Sequence, residues 1–266
     1  MEVADWKKFL NVDLGGKKMN PKEFAEKISF DPEDLPEQIK SYMEEVLGSN
    51  REEFLKDYLN DDIIHVTEAV GCLRKAFIVR YLIKKGVEFS EKNWAIFRGK
   101  LWDRILSPLF ENNQKPIMIA VRDEYGTFFI KGVYDAVVDD VVIDFKTVGS
   151  HQLSQLPKEH HVRQIYTYAV AMNKKPVLIY ISNKSPAIVH LYHPERLEAA
   201  KKIYEETIER AKKLHRALKG NRVPEKERSG LCNYCPFAEF CDLIRTTKDI
   251  DSLMPTFERL FGGGGQ

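Results

Sequence analysis

Asp135, Asp144 and Lys146 are the residues of this chain whose types and spacing point most directly to chemistry. Asp144 and Lys146 stand two apart in Val142-Ile143-Asp144-Phe145-Lys146-Thr147, a run rich in β-branched and aromatic residues. In a strand, residues i and i+2 share a face, so carboxylate and ammonium project together while Ile143 and Phe145 point to an apolar side. Asp135 lies in the preceding β-rich run, and Asp139-Asp140 between the two reads as a tight turn. Antiparallel pairing about that turn sets 135 nearly opposite 144, with side chains within about 5 Å of each other. Two carboxylates so close repel, and burial raises the cost. A divalent ion removes the penalty. Mg²⁺ or Mn²⁺ takes carboxylate, carbonyl and water oxygens, lowers the pKa of a bound water and stabilises charge on a phosphate. Lys146 then orients or deprotonates that water, or contacts the phosphate. The other reading of the triplet is a cross-strand salt bridge on a solvated face; the paired Asp135 and the apolar flanks weigh against it.

Two further features belong to this group. Gln164 and Tyr168 are four apart in a helical run, hence on one face, where an amide and a phenol could hold a DNA strand against the metal. Asp103 follows Arg98-Gly99 on the helix that precedes the strands. It could be a third acidic ligand or an exposed acid beside Lys100 or Arg104.

The four cysteines form a second set. Cys232, Cys235 and Cys241 read C-x2-C-x5-C, and Cys72 lies far upstream. Four thiolates suit zinc or an iron–sulfur cluster. One distant cysteine fits the paired knuckles of a zinc ribbon poorly and a [4Fe–4S] cube better. Tyr234, Phe237 and Phe240 among the ligands are expected to shield it. Arg74 and Lys75, just after Cys72, are the preferred phosphate contacts. The basic residues of helix 194–219 are interleaved with Glu198, Glu205, Glu206 and Glu209 and read better as a solvated face.

The elements that must position these residues follow from periodicity. Segments 21–29, 33–47 and 51–59 read as short helices of an N-terminal extension, 1–62. Residues 91–110 form a strong helix candidate, with Trp94, Phe97, Leu101, Ile105 and Leu109 at helical spacing. Strands are expected at 117–121, 127–138 and 141–148, a helix at 159–172, strands at 177–182 and 187–192, and an amphipathic helix at 194–219. This order predicts an α/β fold with a mixed sheet flanked by helices, over 63–245, followed by a tail, 246–266.

Composition agrees with a folded chain: 43% of the 266 residues are hydrophobic and 11% aromatic, too many for disorder. Lys and Arg number 41 against 40 Asp and Glu, so bulk charge neither indicates nor excludes nucleic acid. No apolar run approaches the roughly 18 residues of a membrane helix, and the start lacks a signal-peptide core. The expectation is a cytoplasmic protein with no membrane partner, its cysteines ligands or buried thiols rather than disulfides.

Taken together, Asp135, Asp144-x-Lys146 and Gln164-x-x-x-Tyr168, bracketed by Cys72 and Cys232/Cys235/Cys241, resemble the iron–sulfur RecB-type nucleases of the PD-(D/E)xK superfamily. Within these the chain looks most like the CRISPR-associated exonucleases of the Cas-four family. The resemblance implies a restriction-endonuclease-like core with an iron–sulfur region. It implies a metal-dependent DNA exonuclease acting on single strands or free ends, which prepares fragments that Cas1–Cas2-type integrases insert as spacers. Carried onto this sequence, Asp135 and Asp144 bind metal, Lys146 is catalytic, and Gln164 and Tyr168 support the site. The departure is Asp103, where the family usually has a histidine; an all-oxygen ligand set favours Mg²⁺ over Mn²⁺. Two other readings stay open: a non-catalytic DNA-end or integrase-binding subunit that keeps the fold, and a zinc-stapled scaffold.

Overall fold

A computed structural model describes residues 51–87, 94–182, 186–191 and 197–261. The chain divides into two compact units, Met1–Glu45 and Val46–Gln266, and every described residue belongs to the second. The expected helices at 21–29 and 33–47 lie outside the described residues.

The sheet grows from the β-rich middle of the chain. Strands β1 (Ile63–His65), β2 (Asn112–Asp123), β3 (Gly126–Val138), β4 (Val141–Thr147), β5 (Lys175–Ile181) and β6 (Pro186–His190) form one mixed sheet. Its order is β1-β3-β4-β5-β6, with β2 on the other edge of β3. β1 with β3 and β4 with β5 are parallel; the other pairs are antiparallel. β3 and β4 turn at Asp139, which takes a left-handed φ of 50°, a conformation that Asp tolerates better than most residues. The pairs Ala136↔Ile143, Val137↔Val142 and Val138↔Val141 give the register expected from the sequence.

Helices cover the sheet: α1 (Arg51–Leu59), α2 (Val66–Val70), α3 (Leu73–Lys84), α4 (Trp94–Leu106), α5 (Glu159–Met172), α6 (Leu197–Lys219) and α7 (Thr247–Phe261). α4 is shorter than the expected 91–110, because Pro108 sits in a 3-10 turn over Ser107–Leu109 that closes it. α5 ends on Asn173 at a left-handed φ of 52°, a common helix stop. One side of β4 presents Ile143 and Phe145 to Trp102, Leu106 and Phe110. Val142 belongs to the larger core with Ile165, Tyr168 and Ala169 of α5. Gly132 on β3 makes that packing possible: a Cβ there would lie 2.5 Å from the Tyr168 ring.

Three features were not visible in the sequence pattern. β1 is too short to announce itself. Arg80 on α3 is fully buried, paired with Glu68 at 2.7 Å and bonded to the carbonyls of Asp57, Tyr58, Asn60 and Ile63, so it ties α1 and β1 to the core. Residues 247–261, expected as tail, are a helix whose Ile250 and Phe257 are fully buried, Phe257 against Phe237 with ring centroids 5.5 Å apart. Its interior Pro255 is a poor helix former, and that is why the pattern misled. No helix among the described residues is long and apolar enough to cross a membrane.

Candidate active site

β4 and β3 bring the acidic residues together. Asp144 and Asp135 are both buried, and Asp135 is the next residue along β3 from the last β3–β4 pair, Ala136↔Ile143. The ladder stops there because the Phe145 amide donates to Asp135 Oδ2, at 2.6 Å, rather than to the backbone. Lys146 Nζ sits 2.5 Å from Asp144 Oδ2. That contact is a close ion pair, with the Lys146 ammonium as the partner of the buried Asp144 carboxylate.

Electrostatics place Asp103 in the same group. Burial first, then the Asp144 charge, pushes the Asp135 carboxyl up to about 8, against Lys146; Asp103 adds to the rise. Burial pushes Asp103 up to about 6, with Lys146 opposing and Asp144 adding. Asp144 is raised by burial against Lys146. For Lys146, burial acts to lower the pKa, but the Asp144 and Asp135 carboxylates outweigh it and hold the ammonium above its usual value. Gly99, one turn before Asp103, brings α4 close to Thr147 beside Lys146.

α5 packs against β4 and β5 beside these residues. Gln164 Nε2 donates to Tyr168 Oη at 3.1 Å, and both side chains are buried. Burial and the Asp144 charge raise the Tyr168 pKa, so the phenol keeps its proton. The start of α5 adds two uncharged imidazoles beside Lys158 that sequence reasoning missed. His161 is pushed down to about 2 by burial and then by Lys146, His160 and Lys158. Burial and then Lys158 and Lys146 also lower His160. His161 Nδ1 lies 3.1 Å from Tyr180 Oη, which also accepts from the Lys158 amide at 3.1 Å. The signal was the run Lys158-Glu159-His160-His161, which gains meaning only once α5 is set against β4. Gln114 was missed as well. Its Nε2 lies 3.2 Å from Asp135 Oδ1.

The cysteines are all free thiols. Burial raises Cys235, with the Phe237 amide and Lys75 opposing and the Cys72 and Cys241 charges adding to the rise, yet the expected four-cysteine ligand set is not clustered. Cys232 Sγ lies 3.8 Å from the Glu227 carbonyl. Phe237 is buried as expected of a shield, but Tyr234 is 76% exposed and shields nothing. Arg74 differs from its expected role. Its Nε donates to the Pro224 carbonyl and its Nη1 to those of Cys241 and Ile244, so the guanidinium is turned into the protein. On α6, Arg210 binds the Ala69 and Gly71 carbonyls and pairs with Glu227, while Arg216 pairs with Glu124. Among the described residues no three His, Cys, Asp or Glu side chains converge as a ready-made metal cage.

The sequence from residue 24 to 242 matches the family model described as the PD-(D/E)XK nuclease superfamily. The chain belongs to that superfamily. The crystal structure of SSO0001 is similar to this chain in fold, at a TM-score of 0.56 and 23% identity, over 74% of this chain and 95% of that one. At that identity the likeness speaks for the fold alone. Among curated proteins none matches this chain. PD-(D/E)XK nucleases use divalent ions such as Mg²⁺, and the residues here fit one. The donor set is all oxygen, with Asp135 and Asp144 buried and Asp135 and Asp103 raised by burial and by neighbouring carboxylate charge. Mg²⁺ keeps several waters and takes only one or two carboxylates.

Proposed function

We propose that the protein is a metal-dependent deoxyribonuclease, an exonuclease of the Cas-four type that acts on single-stranded DNA or overhangs. The observation that carries the reading is the buried Asp144 carboxylate paired with Lys146 and set beside the buried Asp135, within a chain of nuclease family. Asp135 and Asp144, together with Asp103, would hold a divalent ion, which would supply an acidified water and neutralise charge on the phosphate. Lys146, held as an ammonium by its carboxylate neighbours, orients the attacking water and contacts the scissile phosphate. Tyr168 donates its phenolic proton, while Gln164 fixes the direction of that hydroxyl. Lys158, His160 and Lys100 line the approach to these carboxylates and accept backbone phosphates. Arg74 is assigned a structural role, and Lys75 keeps the proposed phosphate contact.

Cys72, Cys232, Cys235 and Cys241 are proposed as ligands of a [4Fe–4S] cluster. The proposal rests on the C-x2-C-x5-C spacing and the distant Cys72; the four thiolates would hold such a cluster. Processing of DNA ends for a Cas1–Cas2-type integrase is the biological role we propose on the resemblance alone. The second reading, a DNA-end-binding subunit without catalysis, draws on Asp103 standing in the slot of the family's usual histidine.

End-labelled single-stranded DNA and a closed single-stranded circle, each incubated with protein and Mg²⁺ or Mn²⁺, test the proposal. The linear strand is expected to shorten from an end and the circle to survive; Asp144→Ala and Lys146→Ala are expected to leave both DNAs intact while remaining folded. Binding without cleavage in the wild type selects the second reading. Protein purified without oxygen is expected to be brown; colourless protein carrying zinc removes the cluster.

A further inference from the structure

Gln114 stands opposite Asp135 in the β2–β3 ladder, between the pairs Asn113↔Ala136 and Lys115↔Tyr134. The register is the same on both sides, yet Gln114 itself leaves the ladder with a left-handed φ of 45°. Glutamine rarely holds that conformation, which clashes with any Cβ and which Gly, Asn and Asp accept more readily. The residue is also exposed, so no burial compensates the strain. What the distortion achieves is an aim. Gln114 Nε2 reaches Asp135 Oδ1 at 3.2 Å and Ser107 Oγ at 3.0 Å, and both of these residues are buried.

The two contacts use both hydrogens of the amide. Oδ2 of Asp135 meanwhile accepts from the Phe145 amide at 2.6 Å. Each carboxylate oxygen therefore has one fixed donor, one from the β4 backbone and one from a side chain of the facing strand. The plane of the carboxylate is set, and each oxygen keeps a second lone pair for a cation. A ligand already held in place loses no rotational freedom when the ion arrives.

We propose that Gln114 is a positioning residue for Asp135, kept in a strained backbone so that its amide orients the carboxylate for a divalent cation. The proposal rests on the reading of Asp135 and Asp144 as metal ligands. Titration calorimetry with Mg²⁺ and with Mn²⁺, in the absence of DNA, tests it on wild type, Gln114→Gly, Gln114→Asn and Asp135→Asn, with melting temperatures measured beside it. Gln114→Gly removes the strain and the amide together. It is expected to melt no lower than wild type without metal, yet to bind the ion about tenfold to a hundredfold more weakly. Gln114→Asn accepts the left-handed backbone but is one methylene too short, and is expected to show the same weakening. Wild-type affinity in Gln114→Gly overturns the proposal and leaves the metal site standing. A fall in its melting temperature that accompanies the lost affinity also overturns it, because the role is then structural. If wild type and Asp135→Asn bind the ions equally, the metal reading itself fails and takes this inference with it.

Discussion

Asp103, Asp135 and Asp144 lie within one another's electrostatic reach and that of Lys146, and their protonation decides how the site behaves. Asp103 gives the ligand set its all-oxygen character. Asp103→His is therefore expected to shift activity from Mg²⁺ towards Mn²⁺, and Asp103→Ala to weaken it with both; identical metal profiles in all three proteins would remove Asp103 from the site. The same carboxyls predict a pH effect. Asp135, at about 8, and Asp103, at about 6, lie above the ordinary aspartate value of 3.8. For an acid raised on folding, the folded state keeps protons that the unfolded chain releases. The metal-free protein is thus most favoured below the unfolded value and loses stability as pH rises through the folded ones. A divalent ion competes with those protons, so the gain in melting temperature on adding Mg²⁺ should be larger at about pH 8.5 than at about pH 6. A gain independent of pH contradicts the buried, protonated site. At this scale much was legible. Asp135 facing Asp144 follows from the turn and the period of two, and Asp103 from its place on the preceding helix. Gln114 was not, because a left-handed residue inside a strand leaves no compositional trace.

Among the elements, the short α1–β1 segment depends on one cation. Arg80 binds the buried Glu68 carboxylate and four carbonyls, which the backbone would otherwise leave short of donors. Arg80→Met strands the Glu68 charge in the core, and such a loss costs about 3–5 kcal/mol. Urea unfolding is expected to register that drop, and Arg80→Met combined with Glu68→Leu to restore a good part of it. A single variant as stable as wild type contradicts the role. The order of strands and helices from 94 to 219 was legible because each element is long and strongly periodic. β1 and Arg80 were not: a three-residue strand has no period, and an arginine is normally read as surface.

The molecule as a whole is closed by its C-terminal helix. α7 lays Ile250 and Phe257 over Phe237 and Phe240, and Asp251 accepts a hydrogen bond from Tyr81 of α3 at 2.8 Å. Deleting residues from 247 onward uncovers that cluster; burying two such side chains contributes about 1.5–3 kcal/mol each. The shortened protein should melt lower and bind a hydrophobic dye, while an unchanged melting temperature contradicts the helix's place in the core. Arg74 carries this closure into the time domain. It leads α3, yet its partner carbonyls on Cys241 and Ile244 lie 167 and 170 residues further along the chain. A ribosome adding about 5–20 residues per second needs on the order of ten seconds or more to cover that span. Through that interval the start of α3 waits without its partners, so Arg74 of the nascent protein stays open to water and to chaperones until the last part of the chain has been made.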